Sequence, residues 1–265
     1  MKKLSIMMST LLIASVGLVG CGTNSSKTTE SKDLLSKIKS EGKIRIGTEG
    51  TYAPYTFHDK SGKLTGFDVE IAEEVAKRLG VQPEFIETKW DGMFAGLDAK
   101  RFDMIANEVG VKPDRQAKYD FSEAYIVSKA VLIVNNADHT IEKFADLKGK
   151  KSAQSLTSNL AKIAETNGAV IQPIDGFNQA IDLLVSKRVD ATINDSLSYL
   201  DLKKQKPDLA IKVVDEEENA QPSAIMFNKG NKELVAATNK ALTDMKADGT
   251  YSKISDKWFA ADVSK

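Results

Sequence analysis

One cysteine, Cys21, stands in a chain of 265 residues, so no disulfide can close within it. Histidine is almost as scarce. His58, in "FHDKSGK", and His139, in "NADHTIEK", occupy polar turn-like contexts that read as surface, and "HTIE" without a thiol cluster is too poor a ligand set for zinc. No GxSxG, GxGxxG or P-loop pattern occurs, and "GTEG" lacks the lysine and the spacing that a phosphate cradle requires. No metal and no cofactor are expected, and nothing demands an enzyme. An excess of one charge is missing as well. Lys and Arg number 37 and Asp and Glu number 37, which leaves no basic footprint for nucleic acid. The C-terminal "KWFAADVSK" offers no apolar run of membrane-spanning length, which argues against the ligand domain of a sensor.

What the chain does have begins with a leader. Lys2 and Lys3 form a positive start, "LSIMMSTLLIASVGLVG" is apolar with small residues toward its end, and "LVGC" places Cys21 directly after them. This is a signal peptide over residues 1–20, not a spanning helix. The stretch resembles the lipobox of bacterial lipoproteins, whose cysteine is acylated and becomes the first residue. Each buried CH₂ of an acyl chain contributes about 0.8 kcal/mol, so two or more chains hold a protein at a membrane. Removing residues 1–20 deletes only Lys2 and Lys3 among the charges, leaving 35 basic against 37 acidic side chains and a net charge of −2. "GTNSSKTTESKD" is polar and without apolar period, so residues 21–40 are expected to be the acylated cysteine and its tether.

The body alternates strand-like and helical patterns. "KIRIGTE" reads as a strand, and "DVEIAEEVAKRLG" puts Val69, Ala72, Val75, Ala76 and Leu79 on one helical face, with Asp68 as its N-cap and Gly80 as its stop. "KAVLIV", "FNQAIDLLVSKR", "VDATIND", "AIMFN" and "ELVAATNKALTDMKA" continue the alternation, which implies an α/β fold with mainly parallel sheets. A weak repeat adds to this. "LDAKRFDMIANE" (Leu97–Glu108) and "LVSKRVDATIND" (Leu184–Asp195) match at a constant offset of 87 residues, each running from a helix end through Lys-Arg and Asp into a strand and an Asn-acid pair. Two related α/β lobes follow. Ligands of such sheets bind beyond the carboxyl ends of the strands, where Glu108 and Asp195 stand.

"RIGTEGTYAPYTFHDKSGKLTGFDVEIAEEVAKRLG", "KWDGMFAGLDAKRFDMIANEV", "PDRQAKYDFSEAY", "FADLKGKKSAQSLTSN", "RVDATINDS" and "MKADGTYSKISDKWF" together resemble the polar amino acid class of bacterial extracellular solute-binding proteins, family 3. Members deliver ligand to ABC importers, so the resemblance implies a permease partner. It implies the two-lobe, type II periplasmic-binding-protein fold, with a cleft that closes on one amino acid and a chain acting as a monomer. Lobe 1 would span 41–127 and 223–265, lobe 2 would span 131–219, and the hinge crossings would lie near 128–130 and 220–222. Some relatives are dehydratases or carry a fused glycan-cleaving domain. The chain ends at Lys265 without an added domain, which disfavours the fused form.

The resemblance also assigns a site. A loop arginine is ordinarily a solvated charge, but Arg115 stands where the family places the arginine that grips the ligand α-carboxylate, and its planar fork suits that task. "LTSN" matches the family's hydroxyl turn, so the N–H groups near Thr157 and Ser158 would complete carboxylate capture. Asp195 matches the anion for the α-ammonium. Tyr52 and Trp90 match the pair that sandwiches the ligand side chain, and Glu49 matches a position facing it. Gly110 departs from the usual Ser or Thr, which leaves only its N–H for ligand. Phe121 and Tyr125 read as packing. With Asp195 assigned, Glu49 and Glu108 lack opposite charges, so the ligand should bring a second cation. "KWDGM", "LDAKR" and "KWFAADVSK" look most like cystine-binding members, which makes L-cystine the expected ligand, with Glu108 holding its second ammonium; lysine, arginine or histidine is the alternative. A lipobox on a binding protein places it on the outer face of the cytoplasmic membrane of a cell without an outer membrane.

Overall fold

A computed structural model describes residues 33–265; the leader, Cys21 and the spacer through residue 32 lie outside them. The first described element corrects the tether. Leu34–Glu41 is a helix capped by Asp33, which accepts the Ser36 N–H at 2.9 Å, and stopped by Gly42 at φ 71°. Ile38 is fully buried, and Leu34 and Leu35 pack beside it against the main core. The spacer composition ends at Asp33, and these apolar residues fasten residues 34–41 to the fold.

Two five-stranded sheets carry the rest. The first has the spatial order Gln82–Glu87, Lys43–Thr48, Met104–Ile105, Met226–Asn228 and Tyr119–Phe121. The second has Val170–Pro173, Lys151–Gln154, Ala191–Asp195, Ala130–Asn135 and Ile211–Glu216. In each, the strand in fourth place runs antiparallel to both neighbours and the other four share a direction. The sheets are therefore mixed. The reversed strand is in each case the one that enters from the other sheet, Met226–Asn228 in the first and Ala130–Asn135 in the second. The two connecting segments, Ile126–Ser128 and Gln221–Ser223, pair with each other as a short antiparallel ribbon. The C-terminal helices Lys232–Ala247 and Thr250–Phe259 return to the first lobe and pack on helix Phe67–Leu79.

Helix Phe67–Leu79 buries Val69, Ala72, Val75, Ala76 and Leu79 as its periodicity requires, and Gly80 stops it at φ 77°. Its N-cap is Gly66, not Asp68; Asp68 lies inside the first turn with its side chain fully buried. Phe102 fixes helix Trp90–Asp98 to the sheet. A Cβ on Gly47 would stand 2.6 Å from its ring, and one on Gly96 would stand 2.7 Å from it, so both positions need glycine to let helix and strand approach.

The repeat is structural in its first half. Lys100 and Lys187 are both left-handed at φ 57°, turning the chain out of helices Trp90–Asp98 and Phe177–Val185. Asp103 then accepts the Arg45 N–H at 2.9 Å, and Asp190 accepts the Lys151 N–H at 2.7 Å, so each aspartate ties its turn to the adjacent strand. Only the final Asn-acid pairs, Asn107-Glu108 and Asn194-Asp195, are left to face the cleft. No helix among the described residues is long and apolar enough to cross a membrane.

Candidate functional site

Strand ends from both sheets converge on a cavity between the lobes. Glu49 directly follows strand Lys43–Thr48, Glu108 follows Met104–Ile105, and Asp195 ends Ala191–Asp195. These three line the cavity together with Tyr52, Trp90, Gly110 and Ser158. Arg115 and Thr157 do not line it; they border an adjoining groove that shares Ser158 with it.

Arg115 belongs to the short helix Pro113–Lys118 and is 6% exposed. Its guanidinium carbon stands 5.5 Å from the Trp90 ring centroid and 5.1 Å from that of Phe94, and Nη1 donates to the Gly110 carbonyl at 3.0 Å. No carboxylate among the described residues forms an ion pair with it. Burial lowers its proton affinity, with Asp114 opposing that effect. A buried cation with unspent donors is an incomplete arrangement that an anion would complete.

Acids dominate the opposite wall. Asp195 caps helix Ser196–Gln205: Oδ1 accepts the N–H of Leu197 at 2.9 Å, that of Ser198 at 3.3 Å and the Tyr55 hydroxyl, while Oδ2 accepts the Ser128 hydroxyl. Burial raises its pKa, and these donors pull the other way. Glu108 is left-handed at φ 51°, an unfavourable state for a glutamate, and Asp68 Oδ2 holds it there by accepting its N–H at 2.6 Å. Glu108 Oε1 lies 3.5 Å from the Ser128 hydroxyl oxygen, and its Oε2 is buried without a partner. Burial, then Asp195, then Asp68 raise the Glu108 pKa well above the carboxylate range. Glu49 is fixed by Asn107, which donates to Oε2 at 2.7 Å and accepts the Glu49 N–H at 2.7 Å. Burial lifts the Glu49 carboxyl to about 7, with Asp91 adding a smaller push.

The expected turn at Thr157 is spent elsewhere. Asp91, in the first turn of helix Trp90–Asp98, accepts the Thr157 N–H at 2.9 Å, its hydroxyl at 2.8 Å and the Leu156 N–H at 3.3 Å. The Ser158 N–H bonds Ser155, and the Ser158 hydroxyl caps its own helix at Ala161. Thr157 thus joins lobe to lobe, and the helix-start residues that line the cavity beside Ser158 are Asn159 and Leu160. Further contacts cross the cleft: Tyr52 donates to Asn194 at 2.7 Å, Ser198 to the Ala53 carbonyl at 3.1 Å, and Lys89 pairs with Asp175 at 2.7 Å. Trp90 is buried with its Nε1 unpartnered, and Tyr125 is wholly buried as packing, its hydroxyl likewise unpartnered.

Sequence reasoning missed Asp68, Asn107, Ser128 and Asn194. Two of them had a signal, since the repeat pairs Asn107 with Asn194, and each asparagine positions a side chain at the cleft. Ser128 and Asp68 act only through chain segments distant in sequence.

Residues 44–261 match the family model of bacterial extracellular solute-binding proteins, family 3. The L-cystine-binding protein TcyA of Bacillus subtilis (strain 168) is 48% identical over 96% of this chain and 95% of its own. Among solved structures, the L-cystine solute receptor of Neisseria gonorrhoeae in its unliganded open conformation is 48% identical, covering 86% of this chain and 98% of that one, with a TM-score of 0.58. A substrate binding protein of an ABC uptake transporter from Streptococcus pneumoniae, with bound histidine, is 26% identical, covering 89% and 99%, with a TM-score of 0.83. With nearly the whole described body matched, the chain belongs to the bacterial extracellular solute-binding proteins, family 3.

Proposed function

We propose that this protein captures a free amino acid between its lobes and delivers it to the permease of an ABC importer, and that the amino acid is L-cystine. One observation carries the reading: a buried guanidinium at Arg115, with no ion pair among the described residues, borders the groove that adjoins the cavity lined by the carboxylates of Glu108 and Asp195. That is the charge arrangement an α-amino acid requires, carboxylate toward the first and ammonium toward the second. The segments at 128–130 and 220–222 serve as the hinge of closure.

The placement of Glu108 changes its expected role. Glu108 and Asp195 both approach the Ser128 hydroxyl, so they converge on one ammonium and not on two. Glu49, oriented by Asn107, is then the acid available to a second cation. Cystine supplies such a cation together with an apolar disulfide centre that suits the space between Tyr52 and Trp90, and the cystine-binding relatives support it. A basic amino acid also brings a second cation, and the histidine-bound relative keeps that reading as the alternative. Titration calorimetry of the wild type against L-cystine, lysine, arginine and histidine is expected to give tight binding of cystine. Glu49→Gln should weaken it by about 1.5–3 kcal/mol, the contribution of one hydrogen bond to a charged group. Tight binding of a basic amino acid with none of cystine sinks the cystine assignment.

The lipobox supports anchoring through acylated Cys21 at the outer face of the cytoplasmic membrane, in a cell without an outer membrane, with the protein working as a monomer. Cys21→Ser is expected to release a folded, unlipidated protein into the medium. Retention of that variant on membranes through detergent-free washing overturns the anchor.

A further inference from the structure

We propose that Glu108 carries a proton in the ligand-free protein and that the ligand ammonium displaces it, so that binding near neutral pH releases about one proton per ligand. The inference rests on the amino-acid reading above and adds the exchange at its ammonium site.

The hydrogen bonds around the two acids are unequal. Asp195 accepts the Tyr55 hydroxyl, the Ser128 hydroxyl and the N–H groups of Leu197 and Ser198, which together hold it as a carboxylate. Ser128 has a single proton and gives it to Asp195, so Glu108 Oε1 receives none from it, and Glu108 Oε2 is buried with no partner. Asp68 faces Glu108 from helix Phe67–Leu79 and adds a second acid, fully buried and itself raised to about 7 by that burial. Glu49, from the end of the first strand, is the remaining acid of the cavity. Tyr52, Tyr55, Tyr125 and Tyr251, the tyrosines near this cluster, are all held neutral by burial. Two cations lie nearby: Lys129 lines the cavity but its ammonium pairs with Glu216 at 2.7 Å, and Arg115, bordering the adjoining groove, stands against Trp90 and Phe94. Two carboxylates meeting at one hydroxyl in a buried site disfavour double ionisation, and Glu108, for which only the Ser223 and Ser128 hydroxyls work against protonation while Asp195 holds four donors, takes the proton.

An ammonium arriving between them reverses this. It donates to both acids, keeps its own three protons, and the Glu108 proton passes to buffer. The ligand-free protein then binds more protons than the complex, so affinity must rise with pH, by up to about tenfold per unit, until Glu108 ionises without ligand.

Titrating L-cystine at pH 7 into the mature protein, in phosphate and in Tris, measures the exchange through the different ionisation enthalpies of the two buffers. The observed enthalpies should differ by the amount due to about one released proton, and Glu108→Gln should abolish that difference while still binding, more weakly. Equal enthalpies in both buffers for the wild type, or a difference that survives in Glu108→Gln, overturn the proposal. Carboxyl-labelled glutamate NMR of the ligand-free protein reads the proton directly. The resonance that vanishes in Glu108→Gln should still report a carboxylic acid at pH 7, and an ionised signal at that pH overturns the proposal. Failure of cystine to bind would count against the ligand reading alone, because the NMR result decides the proton without it.

Discussion

Arg115→Ala is expected to lower affinity for every α-amino acid that the protein binds by roughly a hundredfold or more, since a bidentate carboxylate grip comprises two hydrogen bonds to a charged group at about 1.5–3 kcal/mol each. All candidate ligands share that carboxylate, so the loss should not depend on side chain. The ligand-free protein should barely change. Arg115 packs beside the Trp90 and Phe94 rings and bonds the Gly110 carbonyl, but it is also a desolvated cation without an ion pair among the described residues, and these contributions oppose each other. A net shift within about 1 kcal/mol is expected. Arg115→Lys should fail almost as badly, because an ammonium offers neither the planar fork nor the stacking face. Calorimetric titration with the wild-type ligand and scanning calorimetry without it test both halves. Affinity within tenfold of wild type for the alanine variant would return Arg115 to a packing role.

Arg115 was legible only through the family resemblance, since a loop arginine by itself reads as a solvated charge. Helix periodicity and the offset of 87 residues are local signals, and they placed the strand ends, Glu108 and Asp195 correctly at the cleft. The errors fall where a residue's state depends on a distant partner. Asp68 has the composition of a helix cap, yet its carboxylate is buried because it supports the left-handed backbone of Glu108, 40 residues later. Thr157 sits in a turn that resembles an anion trap, but Asp91, 66 residues earlier, already fills it in this lobe arrangement. Glu108 and Asp195 belong to different lobes, and only Ser128 in the connecting ribbon, which both acids approach, shows how near they come to each other. The Leu34–Glu41 helix was hidden differently: eight residues after a polar spacer carry too little periodicity to separate them from it.

The same long-range contacts set the outcome at Asp195. Read as a ligand group alone, its removal should cost binding and leave stability untouched. Its four donors change that expectation. Asp195→Ala removes an N-cap, typically about 1 kcal/mol, and strands the buried Tyr55 and Ser128 hydroxyls, so the ligand-free protein should lose about 2–4 kcal/mol. For a chain of this size that corresponds to a fall in Tm of roughly 5–15 °C. Asp195→Asn separates the two roles. Its amide oxygen still caps Leu197 and Ser198, so the melting temperature should stay near wild type, while the lost charge should weaken every amino acid by about 1.5–3 kcal/mol. Removing one of two facing acids lets Glu108 ionise more readily in either variant, which preserves one anion for the ammonium; the asparagine loss should be smaller than the alanine loss because its amide oxygen keeps the cap and an acceptor in place. Scanning calorimetry without ligand and titration with it measure the pair. An alanine variant that melts with the wild type would remove the capping role, and an asparagine variant that binds as tightly as the wild type would remove Asp195 from the ammonium site.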